Sequence, residues 1–356
     1  MSIAQKLQRE HLAEVVPYAS ARRTMSGGSV WLNANESPYS NDYQLNSDNL
    51  NRYPAFQSTE LNQSYAEYAG VNEQQVMSCR GSDEAIELLI RAFCEPGSDQ
   101  IIVCPPTYGM YAISAQTHGA AVKQIPLRTA DWQLDLEALL PALQQTKLVF
   151  LCSPSNPLGN TLASADIQQV LETAKNTLVV VDEAYIEFCP DATLATWLER
   201  YPNLVILRTL SKAFALAGAR CGFALANSDI IEVLKKVLAP YPLPDLTVQV
   251  AVQALSRTGL QRLQQQVSSI LEQRAQLLQQ LSALPMQIVA DSDTNFILLQ
   301  VDNASELIDY VKQQGVLIRN QSAQVGLAEC VRISVGNNTE NRQLIAALNS
   351  FYGESL

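Results

Sequence analysis

The chain has 356 residues, which at roughly 150 per domain implies two folded units. Apolar residues make up 47% and charged ones 17%, a balance that excludes wholesale disorder. With 24 basic against 35 acidic residues the net charge is −11, which argues against nucleic acid or an anionic membrane surface as the main partner. Any anionic ligand must be met by a local cluster of arginine, lysine and backbone N–H groups.

The first 30 residues read as an arm, with one helix over 5–16 that the run Ser26-Gly-Gly-Ser29 breaks. From about 60 to 240, short apolar runs alternate with helical periodicity. Strands are expected at 100–104, 121–125, 147–152, 178–182, 204–209 and 221–226, and helices at 83–94, 107–117, 135–144, 164–175 and 228–238. That alternation predicts βαβ units and a mainly parallel sheet covered on both faces. The cluster Pro240-Tyr-Pro-Leu-Pro244 marks a boundary, followed by a helical stretch over 245–283 with a break at Gly259. Beyond Pro285 come strands at 286–290, 295–301, 316–319 and 330–335 with helices at 304–314 and 339–351, a smaller α+β unit. The expected division is an arm (1–30), a large ligand-binding domain (31–244), and a linking helix with a small domain (245–356).

Seven cysteines, none in a Cys-x-x-Cys pair and most within apolar runs, read as buried reduced thiols. His11 and His118 lack metal-ligand spacing, so no metal site is expected. No run approaches the ~20 apolar residues of a membrane span, and the amino terminus lacks the apolar core of a signal peptide. A cytoplasmic protein is the expectation.

The chemistry concentrates at strand ends. Thr209-Leu-Ser-Lys-Ala-Phe-Ala-Leu-Ala-Gly-Ala-Arg220 follows the strand at 204–209, and the carboxyl end of a parallel strand is where open α/β sheets bind ligands. Thr209, Ser211 and Arg220 suit a phosphate dianion, and a crowded cationic site lowers the pKa of Lys212 towards nucleophilic use; alone, Lys212 also fits a solvated loop. Leu178-Val-Val-Val-Asp-Glu-Ala-Tyr185 ends a buried strand in Asp182. Burying that carboxylate costs several kcal/mol unless it meets a cation such as a protonated pyridine nitrogen or, in the plainer alternative, caps the next turn. Tyr185 can donate to an oxygen on the same ring. In Cys152-Ser-Pro-Ser-Asn-Pro-Leu-Gly159, Asn156 offers an amide to a ring oxygen. In Arg80-Gly-Ser-Asp-Glu, Ser82 or Asp83 is expected to cap a helix whose free N–H groups form an anion site. Pro105-Pro-Thr-Tyr-Gly-Met-Tyr111 places Tyr108 where it can stack on a flat ring.

These segments resemble the fold-type I pyridoxal-phosphate enzymes. With Leu32-Asn-Ala-Asn-Glu, Arg52-Tyr-Pro, Asp182-Glu-Ala-Tyr-Ile-Glu-Phe and Val331-Arg-Ile-Ser-Val-Gly, nearly the whole chain is similar to the histidinol-phosphate aminotransferase branch of the class II aminotransferases. The resemblance implies a mixed, mainly parallel seven-stranded sheet with helices on both faces, a smaller C-terminal α+β domain and pyridoxal 5′-phosphate as cofactor. It implies that Lys212 binds the cofactor covalently and shuttles the proton, and that Asp182 pairs with the pyridinium nitrogen. Asn156 and Tyr185 would hold the ring oxygen and Tyr108 would stack on the ring. Ser82, Asp83, Thr209, Ser211 and Arg220 would hold the phosphate, with Tyr53 reaching it from the neighbouring subunit of a homodimer. Arg332 would bind the anionic end of histidinol phosphate and of glutamate or 2-oxoglutarate, with Tyr18 and Asn35 closing over them. Ser155, Leu158 and Ser37 depart from the family's usual Asn, Thr and Asn.

Other members of the branch, aromatic aminotransferases and threonine-phosphate decarboxylases, share the cofactor residues and differ only in substrate groups. A non-enzymatic regulator that binds pyridoxal phosphate would carry a DNA-binding module ahead of this fold, for which the residues before Leu32 are too few. A nicotinamide dehydrogenase needs a Gly-x-Gly-x-x-Gly run, which is absent.

Overall fold

The computed structural model describes residues 2–353; Met1 and residues 354–356, the extremities of the expected arm and small domain, lie outside the described residues. Thirteen strands occur among the described residues. In chain order they are β1 (Val30–Trp31), β2 (Val76–Cys79), β3 (Gln100–Val103), β4 (Ala121–Gln124), β5 (Leu148–Cys152), β6 (Leu178–Asp182), β7 (Leu204–Thr209) and β8 (Gly222–Ala226). They continue as β9 (Gln287–Ile288), β10 (Phe296–Gln300), β11 (Val316–Leu317), β12 (Arg319–Asn320) and β13 (Cys330–Ser334). The large sheet has seven strands in the order β2-β8-β7-β6-β5-β3-β4, and β8 runs antiparallel to both of its neighbours. This is the mixed, mainly parallel sheet that the sequence implies.

Successive residues of a strand face opposite sides, and here both sides are apolar. Val149, Leu151, Val179, Val181 and Ile206 pack beneath the helices Thr59–Ala69, Leu136–Ala142, Ser164–Thr173 and Asp245–Leu255. Leu148, Phe150, Val180, Val205 and Leu207 pack against Ser82–Phe93, Met110–His118 and Ser228–Lys235. A second sheet, β12-β13-β10-β9, carries a separate core with Leu277, Leu307, Val311, Leu344 and Leu348. Val30 and Leu32 belong to that core, because β1 pairs in parallel with β11.

Three local expectations are corrected. The helix over 5–16 is instead a helix Ile3–Leu7 and a 3-10 turn Glu10–Ala13, separated where Gln8 and Arg9 turn extended and Arg9 bonds the carbonyl of His118. The stretch 245–283 breaks at Ser256 rather than Gly259: Ser256 caps the helix Arg257–Leu281 by accepting the Gly259 N–H. Gly259 is still required there, since a Cβ would lie 2.2 Å from the carbonyl oxygen of Ala254. The strand over 316–319 divides as the chain passes from β1 to β13. The helix Thr59–Ala69 and the strand β2, all four of whose residues are buried, occur where no element is expected.

Candidate active site

A cavity of about 460 Å³ opens at the carboxyl ends of the parallel strands, and every expected site residue except Tyr53 borders it. Asp182, the last residue of β6, is 3% exposed and has no cationic partner among the described residues. Its Oδ1 accepts the Ala184 N–H at 3.1 Å and its Oδ2 accepts the Tyr111 hydroxyl at 2.6 Å. Burial pushes its pKa up to about 6, against the opposing pull of those two donors. Lys212 follows the end of β7, and its Nζ donates to the carbonyl of Ala34 at 3.2 Å. Burial first, and the guanidinium of Arg332 second, lower its pKa to about 8.

Tyr185 accepts the Asn35 amide at 2.9 Å, which leaves its own O–H to donate; burial raises its pKa and keeps that proton in place. Asn35 is locked in turn by the hydroxyl of Ser334, which accepts its N–H at 2.8 Å. The carboxamide oxygen of Asn156 accepts from Arg332 at 2.5 Å, leaving its NH₂ to donate.

The helix Ser82–Phe93 begins without a side-chain cap, its N-cap being Gly81. The expectation that Ser82 or Asp83 caps it is corrected: Asp83 is taken by Arg220 at 3.2 Å and by the Tyr108 hydroxyl at 2.9 Å. The first N–H groups of the helix therefore remain available to an anion. Beside them, Thr209 donates to Ser211 at 2.9 Å, and Arg220 donates to Ser211 at 3.3 Å. Two glycines make this approach possible. A Cβ on Gly81 would lie 2.7 Å from Arg220, and one on Gly222 would lie 2.5 Å from the backbone nitrogen of Ser82.

At the opposite wall, Arg332 on β13 faces Arg319 on β12 in direct register, and both border the cavity. Like charges directly opposed in a sheet repel, so an anion placed between them is stabilised twice. Arg332 also donates to the carbonyl of Asn33 at 3.2 Å, and its Nε is buried without a partner. Tyr18, from the arm, meets Tyr108 edge-on at 5.9 Å. Tyr53 lies elsewhere, 79% exposed and stacked on Tyr241 at 4.2 Å.

Sequence reasoning missed Tyr111, Arg319, Arg22 and Glu36. Arg319 had a signal in its alternation with buried Ile318, but register with Arg332 emerges only once the sheet is formed. Arg22 and Glu36 form an ion pair at 3.1 Å on the cavity rim. Leu158 is fully buried in the core, so this departure from the family pattern is a packing change.

This fold, with an amine, a carboxylate and an anion cradle on neighbouring strand ends, defines an aminotransferase. The chain belongs to the class I and II aminotransferase family, whose model matches residues 27–348. It is 59% identical over 356 residues to histidinol-phosphate aminotransferase 2 of Idiomarina loihiensis, covering 99% of this chain and all of that one. It is 50% identical over 349 residues to histidinol-phosphate aminotransferase of Yersinia pseudotuberculosis, covering 98% of this chain and 91% of the relative. Among solved structures it resembles the histidinol-phosphate aminotransferase of Sinorhizobium meliloti in complex with pyridoxal-5′-phosphate. That match has a TM-score of 0.85, 22% identity and 98% coverage of each chain. The enzyme from Clostridium acetobutylicum matches with a TM-score of 0.83 and 23% identity over 92% of this chain and all of that one.

Proposed function

We propose that this chain is a pyridoxal-phosphate-dependent transaminase of histidine biosynthesis, exchanging the amino group of L-histidinol phosphate with 2-oxoglutarate. The observation that carries the reading is a half-buried amine, Lys212, and a buried carboxylate, Asp182, on one cavity and without an ion partner among the described residues. The residues fit the cofactor: the helix start at Ser82, with Thr209, Ser211 and Arg220, suits its phosphate, and Asp182 suits a protonated ring nitrogen. When bound, pyridoxal phosphate supplies an aldehyde and a ring that withdraws electrons from the substrate carbon.

Lys212, with a pKa near 8, is partly neutral at physiological pH, so its Nζ would hold the cofactor's aldehyde covalently with loss of water and, once displaced by the substrate's amino group, would carry a proton from the substrate carbon. Asp182 keeps the proton on the ring nitrogen. Asn156 and Tyr185 would both donate to the ring oxygen, and Tyr108 would cover a ring face. Arg332, with Arg319 opposite, binds the substrate's anionic end, since a guanidinium fork accepts phosphate and carboxylate alike. Tyr18 and Asn35 close this end of the cavity. Tyr53 completes the phosphate site of a second subunit in a homodimer; the exposure of Tyr53 beside exposed Leu45, Leu50 and Phe56 supports that contact.

A cytoplasmic location suits seven free cysteines, and no helix among the described residues is long and apolar enough to cross a membrane. The test is spectroscopic. The loaded protein's visible band should bleach with histidinol phosphate and return with 2-oxoglutarate. Bleaching by phenylalanine but not by histidinol phosphate would overturn the substrate assignment.

A further inference from the structure

The carboxylate of Asp182 is held from behind by a residue to which the reaction gives no part. Tyr111, on the helix Met110–His118, is fully buried, and its hydroxyl lies 2.6 Å from Oδ2 of Asp182. Its ring is fixed on two sides, stacked on Phe150 at 4.9 Å and edge-on to Tyr108 at 5.6 Å. The only other donor to the carboxylate among the described residues is the Ala184 N–H, on Oδ1. A hydroxyl that donates to a buried carboxylate favours its ionised form and fixes the rotation of the group, and such charge-assisted bonds are the short, strong ones. The carboxylate retains lone pairs to accept one more N–H.

We propose that Tyr111 is a positioning residue for the reaction: its hydroxyl holds Asp182 ionised and aimed at the ring nitrogen of bound pyridoxal phosphate. The inference rests on the reading that this nitrogen meets Asp182. It explains why a tyrosine occupies a position whose ring packing a phenylalanine would satisfy, and why a carboxylate with no cationic partner among the described residues is nevertheless oriented.

Tyr111→Phe removes the hydroxyl and keeps the stack on Phe150, so the core stays packed. The full-length enzyme is loaded with pyridoxal phosphate or with its 1-deaza analogue, in which a C–H replaces the ring nitrogen, and dissociation constants are measured by ultrafiltration. Tyr111→Phe should bind pyridoxal phosphate roughly tenfold more weakly than the unmutated enzyme, the scale of one lost bond to a charged group. It should bind the deaza analogue as the unmutated enzyme does, because Tyr111 then has no ring N–H to serve. Equal weakening for both compounds, or none for either, overturns the proposal and leaves the cofactor assignment standing. If the unmutated enzyme and Asp182→Asn both fail to distinguish the two compounds, the pairing of Asp182 with the ring nitrogen itself falls.

Discussion

Replacing Lys212 by methionine should abolish transamination and, in the cofactor-free protein, raise stability. Methionine has nearly the length of lysine without its charge. The half-buried ammonium has its pKa lowered from 10.5 to about 8, with desolvation the largest cause and Arg332 the next. A base with a depressed folded pKa destabilises the fold wherever the unfolded chain would be protonated. Below pH 8 both states carry the proton, and the penalty is about 1.4 kcal/mol per unit over the difference, or ~3 kcal/mol. Between about pH 8 and 10.5 the unfolded state binds more protons, so stability rises with pH and the penalty falls, to ~2 kcal/mol at pH 9. The carbonyl of Ala34 loses its donor, which returns about 1 kcal/mol of the gain. Urea denaturation of the two cofactor-free proteins should therefore show Lys212→Met more stable by ~2 kcal/mol at pH 7 and by ~1 kcal/mol at pH 9. A variant that is less stable, or whose advantage does not change with pH, refutes the picture of a desolvated amine. The same variant should bind the cofactor reversibly, since its phosphate and ring contacts come from other residues; borohydride trapping at another lysine would move the assignment away from Lys212.

Asp182→Asn should keep the fold by circular dichroism and lose roughly 10²–10³-fold in turnover, because an amide cannot hold the proton on the ring nitrogen. Full activity would mean that the nitrogen is satisfied elsewhere. Gly222→Ala puts a Cβ 2.5 Å from backbone atoms of both Gly81 and Ser82, none of which belongs to a flexible side chain. Overpacking of that kind costs about 1–3 kcal/mol, so both the unfolding midpoint and cofactor phosphate affinity should fall; an unchanged affinity would show that the helix start does not hold the phosphate. Arg332→Ala should cost about 2–5 kcal/mol in kcat/KM for histidinol phosphate and for glutamate. Loss for one substrate only would show that the two do not share this arginine.

The residues that gather on the cavity were legible because they sit at the carboxyl ends of strands whose continuous apolar runs announce them. Once β5, β6 and β7 are placed side by side, Cys152, Asp182 and Leu207 fall into register, and the segments that follow them must converge. What remained hidden depends on contacts between elements distant in sequence. Tyr111 reads as an ordinary core position of the helix Met110–His118, and its partner lies 71 residues away. Nothing local distinguishes a tyrosine that fills a core from one that orients a carboxylate. Capping was misread for a related reason. Ser82 and Asp83 are good N-cap types, but Gly81 takes the cap position at φ +76°, leaving Ser82 to open the helix and freeing Asp83 for Arg220. Local propensity favoured a self-contained helix end, and the fold instead leaves that end open. An uncapped helix start is a cost to an isolated element, and here it opens on the cavity, where its free N–H groups suit an anion.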